Sequence, residues 1–158
     1  MKIISPKFAV AAAVLVASVA MAAAQSGEQR GSDVIHRDPL MGTWIVTVTP
    51  DGGGSPFTTI NNFNAGGDFV QLDSRANIPG LGQWVRESDL TYSFQIIAFV
   101  FSMGTLSSTV TVHVNITLDE DLETFAGTYV FQQVDPNGHV IASGGGTRQG
   151  VRATFAFQ

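Results

Sequence analysis

The chain has 158 residues, of which 44% are hydrophobic and only 13% charged, and it contains 17 glycines and no cysteine. This length fits one domain, and the composition argues against intrinsic disorder. The absence of cysteine excludes disulfides, thiol nucleophiles and cysteine-ligated metal sites.

The first 24 residues have the pattern of a secretory signal peptide. Lys2 and Lys7 form a basic start, residues 8–19 are apolar, and Ala22 and Ala24 give an A-x-A cleavage site. A membrane span would need about 20 apolar residues, so we expect cleavage after Ala24 and no stable membrane insertion afterwards. The predicted location is secreted or periplasmic.

Cleavage would remove both lysines and change the charge balance of the chain. Six arginines would then face 13 acidic residues, and the net charge would fall from −5 to −7. An acidic surface disfavours nucleic acid and anionic membranes as partners. Without lysine, the mature chain could not form a Schiff base.

After a polar segment at residues 25–39, which predicts a flexible arm, the pattern is that of β-structure. The predicted strands of the first half cover residues 43–49, 57–63, 68–73 and 83–88, and Pro79 with two glycines predicts a long loop at 75–82.

The second half predicts longer strands. They cover residues 91–101, 105–118 and 123–134, and a strong turn follows at residues 135–138. Segments 139–147 and 151–157 complete the pattern, with a bend or bulge predicted at residues 144–146. Within 105–118 polar residues alternate with Val110, Val112, Val114, Ile116 and Leu118, so one face of that strand is apolar.

Eight or nine strands joined in order by short turns must pair antiparallel. Closure removes exposed edges, so we predict an all-β fold: a single antiparallel up-and-down β-barrel over residues 40–158. An eight-stranded barrel has room for one small ligand. A β-sandwich is the alternative architecture.

Gly42 and Trp44 open the first strand as G-x-W. This resembles the signature of lipocalin-like, or calycin, β-barrels, in which the Trp packs at the closed end beneath an Arg near the last strand. The resemblance assigns that structural role to Arg152 in preference to Arg148. We expect this chain to have neither the helix after the barrel nor, without cysteine, the disulfide of many lipocalins. It is therefore more similar to short, barrel-only relatives, including allene-oxide-cyclase-like barrels, some of which are cofactor-free cyclases.

No metal or cofactor motif is recognisable. The three histidines lack ligand spacing, and the acidic residues at 119–123 do not form an EF-hand loop. Asn115 begins an N-glycosylation sequon, which matters only in a eukaryotic host. We therefore predict neither a metal nor a cofactor.

The remaining candidates are aromatic side chains, which could either fill the barrel or line a ligand cavity. Tyr92, Tyr129 and Gln95 offer polar groups, and the two tyrosines are candidate catalytic residues. The predicted ligand-binding residues are Trp84, Tyr92, Phe94, Phe125, Tyr129 and Phe131.

Three functions remain open at this point. The first is an exported barrel that binds a small hydrophobic molecule. The second is a cofactor-independent cyclase or isomerase that folds a polyene or epoxide precursor in the same cavity, where shape and one or two hydrogen-bond donors suffice. The third is a structural barrel with a filled core. Whether the protein is an enzyme is undecided from the sequence.

Overall fold

The structure is a computed structural model that describes residues 37–154, apart from the side chains of residues 76–78. The predicted signal peptide, most of the predicted arm and residues 155–158 lie outside this range. The strands are β1 (Gly42–Pro50), β2 (Phe57–Phe63), β3 (Asp68–Asp73), β4 (Ala76–Arg86), β5 (Thr91–Ser102), β6 (Thr105–Leu118), β7 (Thr124–Val134) and β8 (Val140–Arg152).

These eight strands form one closed antiparallel barrel in which each strand pairs with its neighbours in the chain. β1 closes the barrel by pairing with β8, from Trp44 opposite Arg152 to Pro50 opposite Gly146. The predicted all-β up-and-down barrel is therefore confirmed. Among the described residues, no helix is long and apolar enough to cross a membrane.

Alternation along each strand determines which side chains fill the barrel. On β1, Trp44, Val46 and Val48 point inwards and are at most 2% exposed. On β5 the aromatic and aliphatic face that begins with Tyr92 points inwards, whereas Phe99 lies on the outer face and is exposed. The apolar face of β6 also points inwards, so His113 lies outside.

The prediction of a loop at residues 75–82 is wrong, because β4 begins at Ala76 and pairs with β3 through this segment. The glycines that suggested a loop meet a packing requirement instead. A methyl group on Gly82 would collide with the backbone carbonyl of Gln95, and one on Gly80 would lie 2.5 Å from the Ile96 side chain. Glycine lets β4 lie close against β5.

The prediction of a bend at residues 144–146 is also wrong, since β8 is one continuous strand from Val140 to Arg152. Its inward glycines face the aromatic side chains of β7: Gly144 is opposite Phe131, and Gly146 is opposite Tyr129. A Cβ at either glycine would lie 2.9 Å from the facing ring. Small residues on β8 thus make room for large ones on β7.

Candidate functional site

The barrel encloses a cavity of about 420 Å³ that opens at one end, next to the β1–β2, β3–β4, β5–β6 and β7–β8 connections. This volume lies within the range of about 300–1,000 Å³ found for small-molecule sites. Its wall is mainly aliphatic and aromatic, with a few polar groups. The lining residues are Val48, Pro50, Phe57, Gln71, Asp73, Arg75, Gly80, Ile96, Ala98, Val100, Val110, Val112, Tyr129, Phe131, Gln133 and Arg148.

An aromatic layer fills the barrel below this cavity. The rings of Phe63 and Phe69 have centroids 4.7 Å apart, and each lies within 5.3 Å of the ring of Phe94. All three side chains are at most 4% exposed. The closed half of the barrel is therefore filled, and the cavity is confined to the open half.

Arg148 stands between the aromatic layer and the cavity. It lies on the inner face of β8 opposite Gly127, and it is only 3% exposed. Its Nη2 donates to Oε1 of Gln71 and lies 3.5 Å from Oγ1 of Thr59, and its guanidinium carbon lies 5.8 Å from the ring centroid of Phe94. Its Nε and Nη1 have no acceptor among the described residues. Burial lowers the pKa of Arg148 to about 10, which leaves it charged at neutral pH.

Tyr129 and Phe131 form the β7 side of the cavity. Tyr129 is 8% exposed, and its burial raises the pKa of its hydroxyl, an effect that the positive charge of Arg148 partly opposes. Tyr129 and Arg148 therefore give an otherwise apolar wall a hydroxyl and a cation.

The cavity mouth is framed by Arg75. Its guanidinium carbon lies 3.2 Å from the ring centroid of Phe57, and its Nη2 is 2.8 Å from Oδ2 of Asp73. On the opposite side, Nε2 of Gln133 donates to Oγ of Ser108 at 2.7 Å. The mouth is thus polar and paired, whereas the wall below it is apolar.

The residues predicted to bind ligand fall into two groups. Tyr129 and Phe131 line the cavity. Phe94 lies in the aromatic layer under Arg148, whereas Trp84, Tyr92 and Phe125 pack towards the closed end. Gln95 lies on the outer face of β5 and is exposed.

Tyr92, a candidate catalytic residue, lies away from the cavity. It is fully buried beside Trp84, with ring centroids 5.8 Å apart. Desolvation, followed by the nearby carboxylate of Asp38, raises its pKa to about 12. Among residues 37–154 its hydroxyl group has no hydrogen-bond partner.

Gly42, Trp44 and Arg152 meet at the closed end. The guanidinium carbon of Arg152 lies 4.3 Å from the Trp44 ring centroid, and its Nη1 donates to the carbonyl of Met41 at 2.9 Å. Trp44 Nε1 in turn donates to the carbonyl of Leu40 at 2.8 Å. Gly42 has a φ of +121°, and a Cβ there would lie 3.3 Å from Arg152. These contacts seal the end of the barrel remote from the cavity.

Two other features considered in the sequence are the glycosylation sequon and metal binding. Asn115 is on the exposed outer face of β6. Within residues 37–154, no three His, Asp or Glu side chains converge as metal ligands would.

The sequence interpretation missed the role of Arg148, which it considered only as a second candidate for the closed end. It also missed Gln71 and Asp73, which line the cavity. A signal was present, because Arg148 shares a strand face with Gly144, Gly146 and Gly150, and a charged side chain among such small residues is unexpected.

Chemically, this site can enclose an apolar body and offer it a buried cation and a phenol. No protein-family model matches the chain, and no curated protein matches it significantly.

Proposed function

We propose that this protein binds a small hydrophobic molecule inside its barrel. The observation that carries the proposal is the cavity of about 420 Å³ with a mainly apolar wall and an opening at one end. Removal of apolar surface from water supplies the binding energy, at roughly 25 cal/mol per Å² buried.

The distribution of side-chain sizes supports a cavity over a filled core. In the closed half, Phe63, Phe69 and Phe94 fill the interior. In the open half, inward positions of β5 and β6 hold smaller side chains such as Ala98 and Val110. The interior is therefore filled by side chains in the closed half of the barrel and hollow in the open half, as expected for a ligand-binding barrel.

We also propose that the barrel is of the lipocalin-like, or calycin, type and that it acts outside the cytoplasm. The stacking of Arg152 on Trp44 in the first strand supports the barrel type. The signal-peptide pattern of residues 1–24 supports export to the periplasm or the exterior.

Binding of 1-naphthylamine, a neutral apolar fluorophore small enough for this volume, tests the proposal. Ala98 lines the cavity, and its neighbour Ile97 lies on the outer face and is 43% exposed. An indole from Ala98→Trp occupies the cavity, while one from Ile97→Trp points to solvent. We expect Ala98→Trp to weaken binding at least about tenfold, or about 1.4 kcal/mol, and Ile97→Trp to leave it unchanged.

Equal binding of the fluorophore by both variants and the parent would contradict the proposal, since the bound molecule would then lie elsewhere. Circular dichroism and thermal unfolding of both variants establish that each remains folded.

A second candidate function is a cofactor-independent cyclase or isomerase. The observation that favours it is that Tyr129 and Arg148 both border the apolar cavity, where a donor and a cation could stabilise negative charge developing on an epoxide or carbonyl oxygen. Rearrangement of an apolar epoxide, followed by mass spectrometry, should then slow about 10²-fold or more in Tyr129→Phe and remain unchanged in Tyr92→Phe. Equal rates in both variants would contradict this function.

A further inference from the structure

Arg148 is a buried cation whose own hydrogen bonds are incomplete. Only Nη2 has acceptors, namely Gln71 and Thr59, so the N–H groups of Nε and Nη1 remain unsatisfied by the described residues. Buried N–H groups of a charged side chain are almost always hydrogen-bonded in folded proteins. An acceptor is therefore expected at this place.

The protein supplies no carboxylate to Arg148 within the described range. Three other arginines there are paired with carboxylates: Arg75 with Asp73 at 2.8 Å, Arg86 with Asp38 at 3.6 Å, and Arg152 with Glu123 at 3.5 Å. Asp73 acts on Arg148 through its charge, but its carboxylate is held by Arg75. An uncompensated buried charge is strongly unfavourable, so an anion that enters the cavity would relieve the cost.

The position of Arg148 fits the head group of an elongated ligand. Arg148 lines the cavity from β8, and Gly144 lies four residues nearer the mouth, opposite Phe131. Four residues span about 13 Å along a strand, or about 10 Å along the axis of a tilted barrel. Between Arg148 and the polar mouth, the wall is mainly aliphatic and aromatic.

The cavity volume also limits the size of the ligand. At about 30 Å³ per water-sized group, 420 Å³ corresponds to about 14 non-hydrogen atoms. One guanidinium balances one negative charge, so a monoanion fits better than a phosphate dianion, whose second charge would stay buried and unpaired.

We infer that the cavity binds a monocarboxylate with an unbranched or slender apolar tail, whose head group accepts hydrogen bonds from Arg148 while the tail lies along the wall towards Phe57 and Phe131. This inference rests on the proposed ligand-binding function and names its ligand class. It assigns to Arg148 the recognition of the head group.

The test compares ligands that share a tail and differ in the head. Binding of decanoate and of 1-decanol to the mature full-length chain is measured by calorimetry at pH 7.5, below the micellar concentration of either. The variants are Arg148→Met, which keeps length and loses charge, and Arg37→Met, which alters an exposed arginine outside the cavity.

The parent and Arg37→Met should bind decanoate about ten- to hundredfold more tightly than decanol, as expected for hydrogen bonds from a charged donor. In Arg148→Met the two ligands should bind within threefold of each other. Equal affinities in the parent, or a preference that persists in Arg148→Met, would overturn the inference and leave the proposed function standing. If decanoate, decanol and the neutral fluorophore all fail to bind the parent, both are overturned.

A measurement on the parent protein alone tests the inference even if Arg148→Met does not fold. The carboxyl carbon of ¹³C-labelled decanoate is followed by NMR as pH is lowered. Next to Arg148 the bound carboxylate should keep its charge to a lower pH than free decanoate. A bound carboxyl group that titrates at or above the pH of the free acid would overturn the inference.

Discussion

Arg152→Met should be among the more damaging single substitutions in the barrel. Arg152 contacts three parts of the closed end. Its Nη1 donates to the carbonyl of Met41, and its guanidinium stacks on Trp44. Its Nε and Nη2 donate to the carbonyl of Leu122 at 3.1 and 2.8 Å. Methionine preserves most of the volume and removes every one of these polar contacts.

The expected loss follows from these contacts. Hydrogen bonds from a charged donor contribute about 1.5–3 kcal/mol each, and stacking of a guanidinium on an indole adds about 0.5–2 kcal/mol. The side chain of Arg152 is 22% exposed, so water replaces part of what is lost. Because the contributions also overlap, we expect a loss of about 3–5 kcal/mol in the free energy of unfolding.

Urea unfolding at pH 7, followed by the fluorescence of Trp44 and Trp84, measures this loss. Arg75→Met is the matched control, since Arg75 is also ion-paired and stacked on an aromatic ring but is 57% exposed. It should cost less than about 1 kcal/mol. A loss below about 1 kcal/mol in Arg152→Met, or equal losses in the two variants, would refute the reasoning.

Two further predictions concern β4 and Tyr92. Gly82→Ala should destabilise the barrel by about 1–3 kcal/mol in urea unfolding, because the added methyl group meets the backbone of β5. The control is Gly66→Ala, which should be neutral because the nearest atom to its methyl group lies at 3.6 Å. Equal effects of the two substitutions would contradict the close approach of β4 and β5. The pKa of Tyr92 is about 12 when folded against 10.0 for the free side chain, so the unfolded chain loses this proton first. Relative to Tyr92→Phe, the stability of the parent should therefore fall as pH rises from 10 to 12, by at most about 1.4 kcal/mol per pH unit. The comparison between the two proteins removes the opposite contribution of Arg148, whose lowered pKa makes it lose its proton first in the folded state. An unchanged slope in Tyr92→Phe would assign the loss to other groups.

Strand order and closure could be predicted from the sequence because alternation and short turns carry that information locally. The face of β5 that contains Tyr92 and Phe94 was recognised as one face from its period of two. Which way it points depends on the barrel as a whole. The sequence therefore grouped the residues of a face without showing whether it lies inside.

The loop predicted at residues 75–82 shows a limit of composition. Pro79 and its neighbouring glycines have the signature of a loop, but Gly80 and Gly82 are required by the close approach of β5. That requirement comes from packing against the neighbouring strand and not from residues 75–82 themselves, so local propensity could not reveal it.

Arg148 shows a second limit, which concerns strand register. The pairing of β7 with β8 shifts by one residue between Gln133 and Val134, just before the turn at 135–138. A one-residue slip exchanges the two faces of a strand. The turn sequence does not reveal this irregularity, so strand register alone could not predict that Arg148 points inwards, opposite Gly127.

Native mass spectrometry of the mature protein, purified gently from its own host, tests most directly whether the barrel holds a small molecule. Ala98→Trp, prepared in the same way, is the control because its indole occupies the cavity. The parent should carry an adduct on the order of 200 Da, as expected for about 14 non-hydrogen atoms, and the variant should lack it. The bare polypeptide mass in repeated preparations of the parent, or the same adduct on both proteins, would contradict a ligand bound in the cavity.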